Sequence, residues 1–307
     1  RDQPRSRGLG DVYKRQESKY FKKQNIRRGS KLFKYISETY HDKKWIDIEN
    51  ELKRFALDDK GKNILFNKTE KDFELLRVSL CDYLSSLSYE SINKESAACM
   101  LIESVINNYL FKKVYTYNYT DLEKIIDILD VKKTFNNQIE IEYVHGKVND
   151  KSIILGFEDS AEVKDDYLFM IKSFSRHFRS HNIQYDMILA DEVIFFGHSL
   201  GSTDYHYFEH FFRNQSNEQI KKEDSKIITI FTYDNKSRLE ILTQLRSMNE
   251  KKTNLLFSLN QLNIFCTKDG EGDKERIEEY CKNLKTKGIA AQKEIISKTA
   301  VDQRKKG

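Results

Sequence analysis

Residues 193–204, VIFFGHSLGSTD, hold the densest set of groups able to do chemistry: an apolar run, Gly197-His198-Ser199-Leu200-Gly201, and a Ser-Thr-Asp helix start ending at Asp204. Gly-His-Ser-Leu-Gly has the G-x-S-x-G spacing of a nucleophile elbow, where a strained strand-to-helix turn exposes a serine hydroxyl. That chemistry needs a histidine base, which in α/β-hydrolases follows the serine at a long interval. The histidines after Ser199 are His206 and His210, both on the helix leaving the turn, and none occurs from Phe211 to Gly307. A serine hydrolase is therefore the weaker alternative. His206, Glu209 and His210 also spell the H-x-x-E-H zinc helix, with two imidazoles one turn apart and a glutamate to activate water. Tyr205, Phe208 and Phe212 form the apolar stripe of that helix, leaving His206, Glu209, His210 and Arg213 on a polar face. A solvated face explains the pattern, and no metal is expected.

A third reading uses more of the chain. Asn118, His145-Gly146, Gly156 and Gly197-His198-Ser199 through Asp204 all fall at or just beyond the C-terminal ends of expected strands. In an open parallel sheet such ends converge on a crevice that takes nucleotide-like ligands. The elements needed to position them are legible as periodicities. From Glu17 to about Lys113 apolar residues recur at helical spacing: Trp45, Ile48, Leu52 and Phe55, then Phe73, Leu76, Leu80, Leu84 and Leu87, then Met100, Ile102, Val105, Ile106 and Leu110. Thr69 with Asp72 reads as a capping-box start. Beyond Lys113, strands are expected at KVYTYNYT, 139–146, 152–157, 191–197, 227–233 and LNIFCT. Helices are expected at TDLEKIIDIL, 164–181, 203–213, SRLEILTQLRSM and DKERIEEYCKNLK. This alternation predicts an α/β, Rossmann-like, mostly parallel sheet with helices on both faces, carrying a helical insertion at 30–112.

Composition narrows the function classes. Hydrophobic residues make up 38% and charged residues 33% of the 307, which suits a soluble, cytoplasmic protein with a substantial core. No apolar run approaches the ~18 residues of a membrane span. Cys81, Cys99, Cys266 and Cys281 lie far apart with no CxxC pair, so reduced thiols are expected and a zinc knuckle is not. Residues 1–16, RDQPRSRGLGDVYKRQ, hold the only proline and read as a non-native translated scar. They carry three of the five formal positive charges, so the near-neutral remainder gives little electrostatic case for nucleic acid. Residues 17–307 are then read as a single domain.

The series WIDIENEL, VYTYNYTDLE, IEYVHG, SIILGF and VIFFGHSLGSTDYHYF resembles the AbiH family of bacteriophage abortive-infection proteins. In that family Trp-x-Asp-x-Glu, Asn-Tyr/Phe-Thr, His-Gly and Gly-His-Ser-Leu-x-x-x-Asp occur in this order. The resemblance covers about residues 17 to 250. The motif order is similar, more distantly, to sirtuin-like NAD-binding domains of other antiphage proteins. It implies NAD or a related nucleotide as ligand, with His145 as general base on a ribose hydroxyl and Asn118 orienting the ribose or a water. Gly146, Gly197, His198, Ser199 and Asp204 would hold the nucleotide. Family members open with a strand and a Gly-Asn-Gly-Phe-Asp turn. Residues 1–16 occupy that place here, so the first strand is expected to be missing.

Each residue also has a plainer role. His145 could bond a neighbouring carbonyl at a strand end, and Asn118 could cap the next turn. Asp204 could be a first-turn acid favoured by the helix dipole, and His198 a turn residue whose ring satisfies backbone. Trp45 and Asp47 match the family motif, but Trp45 reads as a core anchor and Glu49 with Lys53 as a surface i,i+4 pair. Gly270-Glu271-Gly272 reads as a loop. Two function classes stand: an enzyme or sensor acting on a nucleotide, and a non-enzymatic defence scaffold recognising a phage-derived trigger or host protein.

Overall fold

In a computed structural model of the chain, residues 30–41, 48–58, 66–89, 92–106, 108–131, 139–201, 204–270 and 272–306 are described. The readings placed on residues 1–16, Trp45 and Asp47 lie outside them. The chain divides into two compact units: Arg1–Ser88 with Tyr117–Asp121 and Tyr143–His181, and Tyr89–Thr116 with Leu122–Glu142 and Asn182–Gly307.

The first unit contains three amphipathic helices, α1 (Lys31–His41), α2 (Ile48–Asp58) and α3 (Phe66–Ser85). Their apolar stripes meet the buried side chains of Val148, Ile153, Leu155, Phe157, Tyr167, Met170 and Ile171 in one core. The expected capping box does not form. Helix α3 begins at Phe66, so Thr69 and Asp72 lie inside it, both buried. Leu87 falls beyond its end and is exposed.

Two further expectations fail in this unit. Residues 152–157 run as a buried segment without a strand ladder, joined to the rest by a single parallel bridge between Phe157 and Ile171. In place of a long helix over 164–181 there are two 3-10 turns, Asp165–Met170 and Lys172–Phe174. Ile171, between them, is extended (φ −79, ψ 132) so that Met170 O accepts from Phe157 N and Phe157 O accepts from Lys172 N. Tertiary pairing thus overrides helix propensity. Serines contribute by offering the backbone another partner: Ser175 Oγ accepts from His177 N.

The second unit is the α/β layer. Strands β1 (Lys113–Thr116) and β2 (Glu140–Tyr143) pair with each other, with α5 (Leu122–Ile128) between them in sequence and α4 (Ala97–Ile106) before them. Leu110 lies past the end of α4 and is exposed. After α6 (Ile183–Leu189), strands β3 (Glu192–Phe196), β4 (Ile227–Thr232) and β5 (Gln261–Cys266) form a parallel sheet in the order β3-β4-β5. Their crossovers carry α7 (Tyr205–Asn214), then α8 (Asn235–Met248) and α9 (Thr253–Leu259), and α10 (Lys274–Lys306) follows. This is the open, Rossmann-like α/β architecture that the alternation predicts, although the hydrogen-bonded strands fall into two groups.

Register explains how helices cover both faces. Phe195, Ile230 and Ile264 are cross-strand partners on one face, where Phe195 packs on Phe208 and Phe212 of α7. Phe196, Phe231 and Phe265 line the other, and Phe231 and Phe265 meet Ile277, Cys281 and Leu284 of α10 and Leu101 and Val105 of α4. Helices α4 and α10 approach closely through Gly288. A Cβ there would lie 2.5 Å from the Oδ1 of Asn108, whose Nδ2 donates to Leu284 O.

Tyr280 of α10 stacks against Phe231 and Phe265 and donates to Glu192 Oε1 at 2.7 Å. Burial, with the Glu192 carboxylate adding to it, holds its phenol above the ordinary tyrosine range. Tyr115, bonded to Asp186, is raised for the same kind of reason. A group whose pKa is raised on folding stabilises fully below its unfolded pKa and loses that contribution as pH climbs toward the folded value. The urea midpoint should therefore hold at neutral pH and fall above about pH 10, where unfolded tyrosines ionise. Urea titrations between those limits should show a shallower decline for Tyr280→Phe, and an unchanged slope would refute the assignment.

Candidate functional site

The ends of β1 and β2 carry their chains into the first unit. Tyr117, Asn118 and Tyr119 follow β1, and Val144, His145 and Gly146 follow β2. His145 is buried, with the ring of Tyr117 edge-on at 5.5 Å and that of Tyr119 at 6.4 Å. Its carbonyl accepts from Ile154 N at 2.8 Å, and Tyr119 donates its hydroxyl to Ile154 O at 2.7 Å. Asn118 is exposed.

Gly146 is required by this turn. Its φ is +78, and a Cβ would lie 2.1 Å from Ser152 O. Only glycine tolerates both the left-handed backbone and that approach. Ser152 closes the turn, donating its N–H to Lys147 O while its Oγ accepts from Lys147 N. Arg77 of α3 holds the same segment from below. Its Nη1 donates to Lys151 O at 2.6 Å, and its Nε and Nη2 grip both Glu74 oxygens at 2.8 and 2.6 Å. That fork keeps the Glu74 carboxyl below its usual range.

Behind His145 sits a charge pair that sequence reading missed. Lys172, buried, places Nζ 3.4 Å from His145 Nε2 and 3.2 Å from Glu49 Oε2. Lys53, one turn along α2 from Glu49, pairs with Glu158. The expected Glu49–Lys53 surface pair is thus replaced by two crossed pairs, Glu49–Lys172 and Lys53–Glu158, tying α2 to the segment 157–172. Elementary electrostatics explains the exchange: an ammonium withdrawn from water needs a nearby carboxylate. Lys172 was hidden because it lies within an expected amphipathic helix. The one available signal was a lone lysine in the apolar run Leu168-Phe169-Met170-Ile171 and Phe174.

The second unit holds the Gly-His-Ser-Leu turn. Gly197 (φ +65) extends the β3–β4 ladder by donating to Phe231 O, and buried Leu200 takes φ +44. His198 Nδ1 accepts from Leu200 N at 3.0 Å, its Nε2 faces Asp204 Oδ2 at 3.5 Å, and Phe208 packs 5.0 Å from its ring. The spacing from His198 to Asp204 thus braces a strained turn into the start of α7. Both ring nitrogens are directed at these groups, and Ser199 is exposed. Along α7, Glu209 pairs with Arg213, while His206 and His210 are exposed. Among the described residues no group of three or more His, Cys, Asp or Glu side chains could hold a metal ion, and no helix is long and apolar enough to cross a membrane.

An open α/β chain with a buried histidine–lysine–carboxylate cluster at its strand ends has the build of a ligand-handling protein. The family model for Bacteriophage abortive infection AbiH matches residues 9–225. The chain belongs to this family, which makes it a phage abortive-infection defence protein. The match opens at residue 9, within the segment 1–16. No curated protein and no solved structure matches the chain.

Gly146→Ala should lower stability by more than about 1 kcal/mol, because the residue must take a positive φ and a Cβ has no room. Urea denaturation checks this. A variant as stable as the wild type would mean that the turn after β2 is not built as described.

Proposed function

We propose that this defence protein binds and processes NAD or a related nucleotide at the first-unit site, with His145 as the group that handles the proton. The observation that carries the reading is the buried His145–Lys172–Glu49 cluster just beyond β1 and β2. Burying three ionisable groups together is costly for a fold and useful for chemistry. Asn118 and Gly146 lie on the same two strand ends and are proposed to orient the sugar and admit it closely. Gly197, His198, Ser199 and Asp204 are proposed to hold nucleotide at the turn after β3, where Ser199 offers an exposed hydroxyl. The reaction would take place in the cytoplasm, without a metal ion.

One observation favours a second reading. Tyr185 and Leu189 of α6 are 62% and 61% exposed. Such apolar exposure suits a defence scaffold that recognises a phage or host protein.

Calorimetric titration with NAD and assay of nicotinamide release separate the two. The enzyme reading expects binding by the wild type and a loss of turnover of about 100-fold or more in His145→Ala at unchanged urea midpoint. Absence of both binding and release, or equal rates in the two proteins, would sink it.

A further inference from the structure

We propose that His145 acts as a proton donor through Nδ1, with Lys172 and Glu49 as the positioning pair that fixes its tautomer; this deepens the reading of His145 as the proton-handling group and rests on it. The argument starts from what a lysine can do. An ammonium has three donors and no lone pair. Lys172 Nζ lies 3.4 Å from His145 Nε2, and Glu49 Oε2, at 3.2 Å from the same Nζ, favours the charged form of the amine. A nitrogen facing an ammonium at this distance must accept. The proton of the neutral imidazole therefore resides on Nδ1.

The surroundings hold the ring in this sense. Tyr117 packs edge-on against it with an interplanar angle of 89°, and the Lys172 backbone is anchored by its N–H to Phe157 O. Turning the ring over would set a carbon against the ammonium and forfeit the contact.

The tautomer determines the direction of proton flow. An imidazole protonated at Nδ1, with its Nε2 lone pair occupied by Lys172, has no lone pair left to take a proton from a hydroxyl. It presents an N–H to an acceptor atom of the ligand. As negative charge builds on that atom, the Nδ1 proton passes to it and Lys172 delivers a proton to Nε2. The products are a protonated ligand atom, an imidazole protonated at Nε2 and a neutral amine, which recovers its proton from solvent. The ligand class that fits is one whose bond cleavage leaves charge on a nitrogen or oxygen, as the departing base of a nucleoside does. This reverses the role of base on a ribose hydroxyl that the family resemblance implies.

The test is long-range 1H–15N correlation of the full chain labelled on histidine nitrogen, at about pH 8.5, where ordinary imidazoles are neutral. The spectrum of His145→Gln identifies the His145 signals. Wild type should show a pyrrole-like Nδ1 and a pyridine-like Nε2. Lys172→Arg, which keeps the charge and the donors, should preserve that pattern, and Lys172→Met should shift the proton toward Nε2. A pyridine-like Nδ1 in the wild type, or a pattern indifferent to Lys172→Met, would overturn the proposal. NAD turnover is read separately. Turnover with Nε2 protonated defeats this inference alone, whereas the Nδ1 tautomer without NAD binding or turnover defeats the nucleotide reading.

Discussion

The buried contact of the Lys172 ammonium with Glu49 and His145 is the constraint on which the first unit is organised. A lysine this far from water is tolerated only beside a countercharge, and removing one partner of such a pair costs about 3–5 kcal/mol. Glu49 must therefore stay on the inward turn of α2. The backbone at Lys172 must be held where Nζ can reach it, which is the task of the Phe157–Ile171 bridge. The bridge in turn breaks what would otherwise be a continuous helix. Irregular backbone between residues 157 and 174 is thus a consequence of placing one charge.

The cluster is not an efficient way to stabilise a fold. Glu158, which pairs with Lys53 alongside it, leaves Oε2 buried with no protein donor. An unsatisfied buried polar atom costs about 1–3 kcal/mol. Apolar side chains of similar size would fill the same space without that cost. Rigid supports surround the cluster instead: the Arg77 fork, the Gly146 turn and the Tyr117 ring hold His145 from three directions. In the second unit a different economy applies. His198 and Asp204 spend their polar groups on bracing the turn after β3, and the sheet beneath them is held by stacked aromatic rows.

Much of the second unit was legible because strand and helix periods are local signals. β3, β4 and β5 and the helices between them fall where alternation and apolar spacing place them. The first unit was less legible because its decisive contacts are remote in sequence. Glu49 and Lys53 look like an i,i+4 pair on any helix, and nothing local reports that each is claimed by a residue more than a hundred positions away. Residues 152–157 have strand composition, but a strand requires a neighbouring ladder, which sequence alone does not reveal. Of the site residues, His145 and Gly146 were visible as a motif at a strand end. Lys172 was not, since its role depends on an extended residue in what reads as helix.

The central claim is that the Glu49–Lys172 pair beside His145 is kept for function rather than for stability. The most direct measurement is a combined one on the double variant Glu49→Leu, Lys172→Met: its urea midpoint, and the plating efficiency of a phage that the wild-type protein restricts. The account predicts a midpoint equal to or above the wild type, with protection lost. Retained protection, or a double variant as unstable as Lys172→Met alone, would contradict it.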